Sequence, residues 1–212
     1  MTTISILGSG RVASALTQRI KEAGLTPVIG VIDPASPSKN WTGTEASFTN
    51  TADAISASEI IFNATPGETS LDFLTPFASE LGGKILVDVS NALERDEKGM
   101  PIGLKYPDSS VAEKLQKALP NCHVVKTLNT MIFAVIANPK ILKNTPVAFL
   151  SGNDLDAKNK VSALLTAFGW TEDLIEDLGR LHTARGPEAF MHFVPSIIAN
   201  HGFAPFALTI AR

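Results

Sequence analysis

Residues 4–16 read Ile4-Ser5-Ile6-Leu7-Gly8-Ser9-Gly10-Arg11-Val12-Ala13-Ser14-Ala15-Leu16. An apolar run, a glycine turn and an amphipathic stretch follow one another without interruption, which predicts a strand, a tight turn and a helix. Within it "GSGRVA" fits the pattern G-x-G-x-x-A. Gly8 permits the turn, Gly10 lets backbone approach a pyrophosphate, and Ala13 is small enough for the helix to pack closely on the strand. The helix N-terminus adds free N–H groups and a partial positive charge. Gly8, Ser9, Gly10, Arg11 and Val12 are therefore the expected phosphate-binding loop of a dinucleotide site.

Outward from this unit, apolar runs and helical patterns alternate. Strands are expected at residues 3–7, 27–32, 46–48, 59–64, 84–89, 123–128, 146–151 and 171–177. Helices are expected at 11–23, from 51, from the Pro66-Gly67 break to about 81, over 109–118 with Ser109 or Ser110 as cap, and over 154–168. The polar stretch 91–108 reads as irregular. Near-continuous apolar strands separated by helices indicate a mostly parallel sheet covered on both faces. The expected fold is α/β, a Rossmann-type doubly wound sheet over residues 1–177. Residues 178–212 form a small C-terminal cap, with a helix interrupted at Gly186-Pro187 and near Pro195 and a short strand around 206–210. A seam between core and cap commonly makes one wall of a substrate pocket.

Composition narrows the function. The 212 residues are 44% apolar and 18% charged, with a formal net charge of −3 and no cluster of lysine and arginine. Nucleic acid is not an expected partner. With no basic leader and no apolar run long enough for a bilayer, the expectation is a cytoplasmic protein without a membrane partner. Cys122 is the single cysteine, so an internal disulfide and a thiolate metal cluster are excluded. It reads as a small residue at a strand entrance, with a catalytic thiol as the alternative. His182, His192 and His201 are ten and nine residues apart, which gives no i, i+4 pair, and no metal site is expected.

Asp33 lies twenty residues beyond Ala13, at the end of the second strand. An acidic side chain there takes the adenosine ribose hydroxyls of NAD, or it caps the loop ahead of Pro34. Arg11, Ser36, Ser38 and Lys39 are the groups available to the 2′-phosphate of NADP. The residues leave NADP and NAD both open.

Further stretches carry a family resemblance: Asn63-Ala64-Thr65-Pro66-Gly67, "VDVSNAL" at 87–93, "SSVAEKLQKALPNCHVVKTLNTM" at 109–131 and "LGRLHTARGPEAF" at 178–190. With the N-terminal glycine turn they make the chain similar, over nearly its whole length, to the NADPH-dependent reductases of the deazaflavin coenzyme F420. That family has relatives in bacteria and in the cytosolic domain of membrane ferric reductases. The resemblance implies a Rossmann domain with a small cap, a homodimer, and hydride transfer between a nicotinamide and a bound acceptor. Family members commonly carry Gly-Ser-Arg-Asp-Pro at the end of the second strand, where Ser and Arg hold the NADP phosphate. Here Gly30-Val31-Ile32-Asp33-Pro34 stands in that place, so the phosphate-binding pair is missing. Members with an F420 partner often have His at the position of Asn129.

In a doubly wound sheet the ligand lies beyond the carboxyl ends of the strands. Ala64, Thr65 and Pro66 are expected along the nicotinamide ribose, with Ser90 and Asn91 beside the cofactor. Asn129 and Thr130 are the expected catalytic pair, offering hydrogen bonds to the nicotinamide amide or the acceptor. Plainer readings stand beside these: Asn129-Thr130 as a capping pair, Asn91 as a turn residue, and Arg185 with Glu188 as a surface ion pair rather than pocket residues. Phe190, Phe193, Phe203 and Phe206 are expected to pack core or a dimer interface rather than to stack on a flavin. Hydride transfer asks the protein for distance, angle and exclusion of water more than for an acid or base at every step. The expected function is an NAD(P)-dependent oxidoreductase acting on a flavin-like molecule (F420, FMN or similar) or another small redox acceptor. The alternative is a non-catalytic NAD(P)-sensing module whose cap closes over the nicotinamide face. The enzyme reading expects an open, partly apolar cleft beside Asn129 and Met131.

Overall fold

The computed structural model describes residues 3–36, 41–97 and 99–210. In chain order the elements are β1 (Thr3–Leu7), α1 (Arg11–Glu22), β2 (Thr26–Val31), β3 (Phe48–Asn50), α2 (Thr51–Ser56), β4 (Ile60–Asn63), α3 (Gly67–Leu74), β5 (Ile85–Asp88) and β6 (Leu93–Arg95). There follow β7 (Pro101–Leu104), α4 (Val111–Ala118), β8 (His123–Lys126), α5 (Phe133–Ala137), β9 (Ala148–Gly152), α6 (Leu155–Ala167), β10 (Ile175–Asp177), α7 (Arg185–Ala189) and α8 (Val194–His201). Eight strands form one sheet in the order β10-β9-β8-β5-β4-β1-β2-β3. The six from β3 to β8 run parallel, β9 runs against β8, and β10 runs with β9. The sheet is doubly wound, and its order reverses between β1 and β4, where ligands of such folds lie.

Period-two alternation sorts each strand between two cores. Ile4 and Ile6 of β1, Phe62 of β4, Val87 of β5 and Val125 of β8 join α1 and α6 on one face. Leu7, Ile61, Leu86 and Val124 meet α2, α3 and α4 on the other. Helix starts follow capping chemistry: Asn50 accepts from the Asp53 N–H, Ser110 from Glu113 and Asp154 from Ala157.

Several expectations need correction. The stretch expected to be irregular holds an antiparallel hairpin, β6 with β7. The helix expected to reach about residue 81 stops at Leu74, because Pro76 starts a 3₁₀ turn over Thr75–Phe77. Of the strand expected at 171–177, Glu172–Leu174 is a 3₁₀ turn and only the last three residues pair. The short final strand is a single bridge between Met131 and Ala207. α5 has no counterpart among the expected helices. The tail reaches the sheet at several points: Gly179 O accepts from Gly152 N, and Leu181 and Ala184 are buried in the second core. No helix among the described residues is long and apolar enough to cross a membrane.

Candidate active site

The glycine turn is shaped by steric necessity. Gly8 sits at φ +114°, and a Cβ there would lie 2.7 Å from the carbonyl oxygen of Ala64. Its N–H donates to Gly30 O at 2.9 Å, which joins the ends of β1 and β2. At Gly10, by contrast, a Cβ would meet nothing within 4 Å. Gly10 caps α1 without a side chain, and no acidic residue occupies the first turn of that helix. The result is an open, electropositive helix start facing free space.

Two clefts meet at this turn and share Gly8, Ser9, Thr65 and Pro66. The outer one, about 630 Å³, runs along the end of β2 past Ile32, Asp33 and Ser36 to Asp72 and Phe73 of α3. Asp33 does two things at once: it lines this cleft, and its Oδ1 accepts from Ala35 N at 3.0 Å as a loop cap. Ser38 and Lys39 lie outside the described residues. The inner cleft, about 700 Å³, is walled by Gly10, Arg11, Val12, Ala64, Ser90, Asn91, Arg95, Asn129, Met131 and Phe133, among others. It is open and partly apolar, as the enzyme reading expects. Arg11 lays its guanidinium over the Phe133 ring, 5.0 Å from the centroid, so it belongs to the inner cleft.

Beneath the inner cleft lies a polar network that periodicity did not reveal. Asp88 and Lys126 are cross-strand partners at the ends of β5 and β8. Lys126 Nζ bonds Asp88 Oδ2 at 2.7 Å and Glu188 Oε1 at 2.8 Å, and it donates to the Ser90 carbonyl. The Lys126, Asp88 and Glu188 side chains are 1%, 0% and 4% exposed, deep enough that an unmatched charge would be prohibitive. Asp88 Oδ1 accepts from Asn63 Nδ2, Ser90 N and Ser90 Oγ. Asn63 Oδ1 in turn takes the N–H and hydroxyl of Thr65. Glu188 also receives the N–H of Val111 at the start of α4. Burial pushes the Lys126 ammonium toward deprotonation, but Asp88 and Glu188 more than reverse this and hold its pKa above the usual value. Burial, reinforced by Asp88, pushes the Glu188 carboxyl up despite the opposing pull of Lys126.

Asn91 and Asn129 exchange hydrogen bonds across the cleft floor. Asn91 Nδ2 donates to Asn129 O at 2.9 Å, and Asn129 Nδ2 donates to Asn91 Oδ1 at 3.0 Å. The chain reaches this geometry through Leu128, a buried residue at φ +58°. Such a left-handed leucine costs about 1–2 kcal/mol, and strain of this kind gathers at functional sites.

The structure thus brings Gly8, Ser9, Gly10, Arg11, Val12, Ala64, Thr65, Pro66, Ser90, Asn91 and Asn129 to the inner cleft, and Asp33 and Ser36 to the outer one. Thr130 is not among the lining residues; it is buried, and its carbonyl accepts from Leu208 N of the tail. Arg185 and Glu188 are not partners. Arg185 pairs with Glu113 at 2.8 Å on the surface, while Glu188 turns inward to Lys126. Of the four tail phenylalanines, Phe190 is buried against Phe193 and Phe206, and Phe193 and Phe203 are exposed. Burial raises the Cys122 thiol to about 11, far from a thiolate. Among the described residues no group of three or more His, Cys, Asp or Glu is arranged to hold a metal ion.

Comparison with known proteins gives a consistent picture. The family described as "NADP oxidoreductase coenzyme F420-dependent" matches residues 3–92. A solved structure from Arthrobacter sp. FB24, provisionally named an F420-dependent NADP-reductase, superposes with a TM-score of 0.89 at 32% identity and covers 99% of both chains. Metalloreductase STEAP3 of Rattus norvegicus is 34% identical over 195 residues, 91% of this chain and 37% of that protein. The chain therefore spans little more than a third of the metalloreductase. The F420-dependent NADP reductase of Methanocaldococcus jannaschii is 29% identical over 141 residues, 65% of this chain and 60% of that one.

Proposed function

The chain belongs to the F420-dependent NADP oxidoreductases, and on that footing we propose that its two clefts hold one nicotinamide dinucleotide and that a small flavin-like acceptor enters the inner cleft. The observation that carries this reading is the junction at the glycine turn. Gly8 is forced to be glycine by the Ala64 carbonyl, Gly10 leaves open space, and the bare start of α1 points into it. A pyrophosphate suits that junction, with an adenosine half in the outer cleft and a nicotinamide half in the inner one.

When bound, the dinucleotide supplies the hydride chemistry. The residues of the chain supply the rest. Ala64, Thr65 and Pro66 form the rail along the nicotinamide ribose. Asn129, paired with Asn91, presents the polar floor, and Met131 and Phe133 supply apolar wall that excludes water. Arg95 and Glu68, bonded at 3.0 Å, both line the same cleft, so the positive charge offered to an anionic acceptor comes from Arg11 over Phe133. F420 and flavin phosphates both fit that chemistry. The open inner cleft favours turnover over a closed sensing module.

The 2′-phosphate of NADP is matched less well than the rest of the cofactor. Among the described residues the outer cleft is lined by Asp33 and Asp72 and by no lysine or arginine. Titration calorimetry of the cofactor-free protein with NADP and separately with NAD is the direct test. Micromolar binding of at least one, followed by oxidation of its reduced form by F420 or a flavin, is the expected result. Failure of both to bind would sink the reading at its first step.

A further inference from the structure

The motif residues around Asp88, Lys126 and Glu188 come from three distant parts of the chain, and a reading based on the glycine turn gives them no task. In the fold they converge on one ammonium. Lys126 Nζ holds the Ser90 carbonyl, and Asp88, held by the same ammonium, takes both the N–H and the hydroxyl of Ser90. Residue 90 is pinned at both of its backbone groups. The adjacent Asn91 is thereby set at the distance where it exchanges two hydrogen bonds with Asn129. Through Asn63 the same carboxylate reaches the N–H and hydroxyl of Thr65. Thr65, Ser90, Asn91 and Asn129 all line the inner cleft, whereas Lys126 itself does not.

A buried ion cluster is a poor way to gain stability, since apolar side chains of similar volume often do as well or better. Its geometric effect here is specific: one group sets the turns that follow β4 and β5 relative to the end of β8. We propose that Lys126 is the positioning residue of the inner cleft, fixing the wall against which the nicotinamide half of the cofactor is laid, with Glu188 tying the tail to the same point. The proposal rests on the dinucleotide reading above.

The test separates the two halves of the ligand. Titrations compare NADP with 2′,5′-ADP, and NAD with 5′-AMP, in the wild type and in Lys126→Met. A cooperative thermal melt is required of each variant before titration, and the double variant Lys126→Met/Glu188→Gln halves the uncompensated buried charge. It leaves one buried charge, Asp88, which keeps its three donors from Asn63 and Ser90. The amide oxygen introduced by Glu188→Gln can still accept from the Val111 N–H. The whole dinucleotide is expected to bind at least about tenfold more weakly, while the adenosine half stays within about twofold, since its cleft meets the network only at Thr65. As a second readout, the nicotinamide emission of saturating reduced dinucleotide is expected to be enhanced on the wild type and not on the variants. Equal weakening of whole and half, or unchanged binding with unchanged emission, would reduce the cluster to a structural clamp and overturn the proposal. A wild type that takes up no dinucleotide would overturn the cofactor reading first, and this inference with it.

Discussion

The outer and inner clefts meet at one turn and are built by opposite means. The outer cleft is lined by three short stretches, the glycine turn, the end of β2 and the segment from Thr65 to Phe73, and its Asp33 carboxylate is held locally by the N–H two residues on. The inner cleft rests on partners 38 and 77 residues apart, closed over three buried charges. Local backbone shapes the first and long-range side-chain pairing shapes the second. A substitution at the β2 end of the outer cleft, as at Asp33, changes what is bound and leaves the frame alone. A substitution under the inner cleft moves several walls together, because each group in the network has already spent its hydrogen-bonding capacity on the next.

The largest effect is expected where the two clefts join. Gly8→Ala would add a Cβ 2.7 Å from the Ala64 carbonyl at a backbone angle of +114°. Relief must come from moving β4 against β1. Strain of about 2–3 kcal/mol corresponds to roughly a hundredfold in affinity if the bound form alone needs the native turn, and to a lower melting temperature if the free form needs it too. Calorimetry with the better dinucleotide and a thermal melt divide the cost between them. Native affinity together with native melting would break the contrast, since backbone would then not shape the junction.

The same contrast explains what could be read in advance. The glycine turn, the strands around it and the cap at Ser110 are written in adjacent residues, and periodicity exposes them. The family resemblance likewise rests on contiguous motifs, and the whole-chain superposition agrees with it. Asp88 and Lys126 hide inside the apolar runs "KILVDV" and "HVVKTL", where a single charge looks like a strand end. One signal is present. A parallel strand covered on both faces cannot hold an unmatched charge, so an acid in one such run and a base in another call for each other. Glu188 has no comparable mark, since its three-residue spacing from Arg185 suggests a surface pair that the fold does not form. The hairpin of β6 and β7 escapes periodicity because each strand is only three or four residues long and the pairing slips at Arg95. Thr130 is singled out only by adjacency to Asn129; Leu128, Asn129 and Met131 line the cleft, and Thr130 between them is buried away from it.

In the outer cleft a smaller and more selective change is expected. Asp33→Ser removes a carboxylate that repels a 2′-phosphate and leaves a hydroxyl that can still cap the loop at Ala35. The ratio of NADP to NAD affinity should rise by about tenfold, or about 1.4 kcal/mol, with the melting temperature unchanged. Parallel titrations read this directly. An unchanged ratio would mean that Asp33 serves only as the loop cap, and that phosphate selection lies elsewhere.

The smallest effect lies under the inner cleft and shows as a slope with pH. The Glu188 carboxyl titrates above its ordinary 4.5, chiefly because it is buried and secondly because Asp88 is near. A carboxyl whose folded pKa is raised contributes fully below the unfolded value, where both states hold the proton. That contribution is lost as pH rises through the folded pKa, where the buried group must ionise. Glu188→Gln does not titrate, so its melting temperature relative to the wild type should improve as pH rises above the ordinary 4.5. Glu113 works in the opposite sense: burial pushes it up, but hydrogen bonds from Arg185 and Ser110 outweigh that and lower it, so its contribution fades as pH falls. Because Glu113 is present in both proteins, it cancels in the difference. Lys126, held above 10.5 by its two carboxylates, keeps its charge throughout this window. A difference that rises with pH therefore reports the ionisation of Glu188 together with its coupling to Asp88. A flat one would mean that Lys126 balances both carboxylates completely, so that the inner network stores no charge strain and differs from the outer cleft in its geometry only.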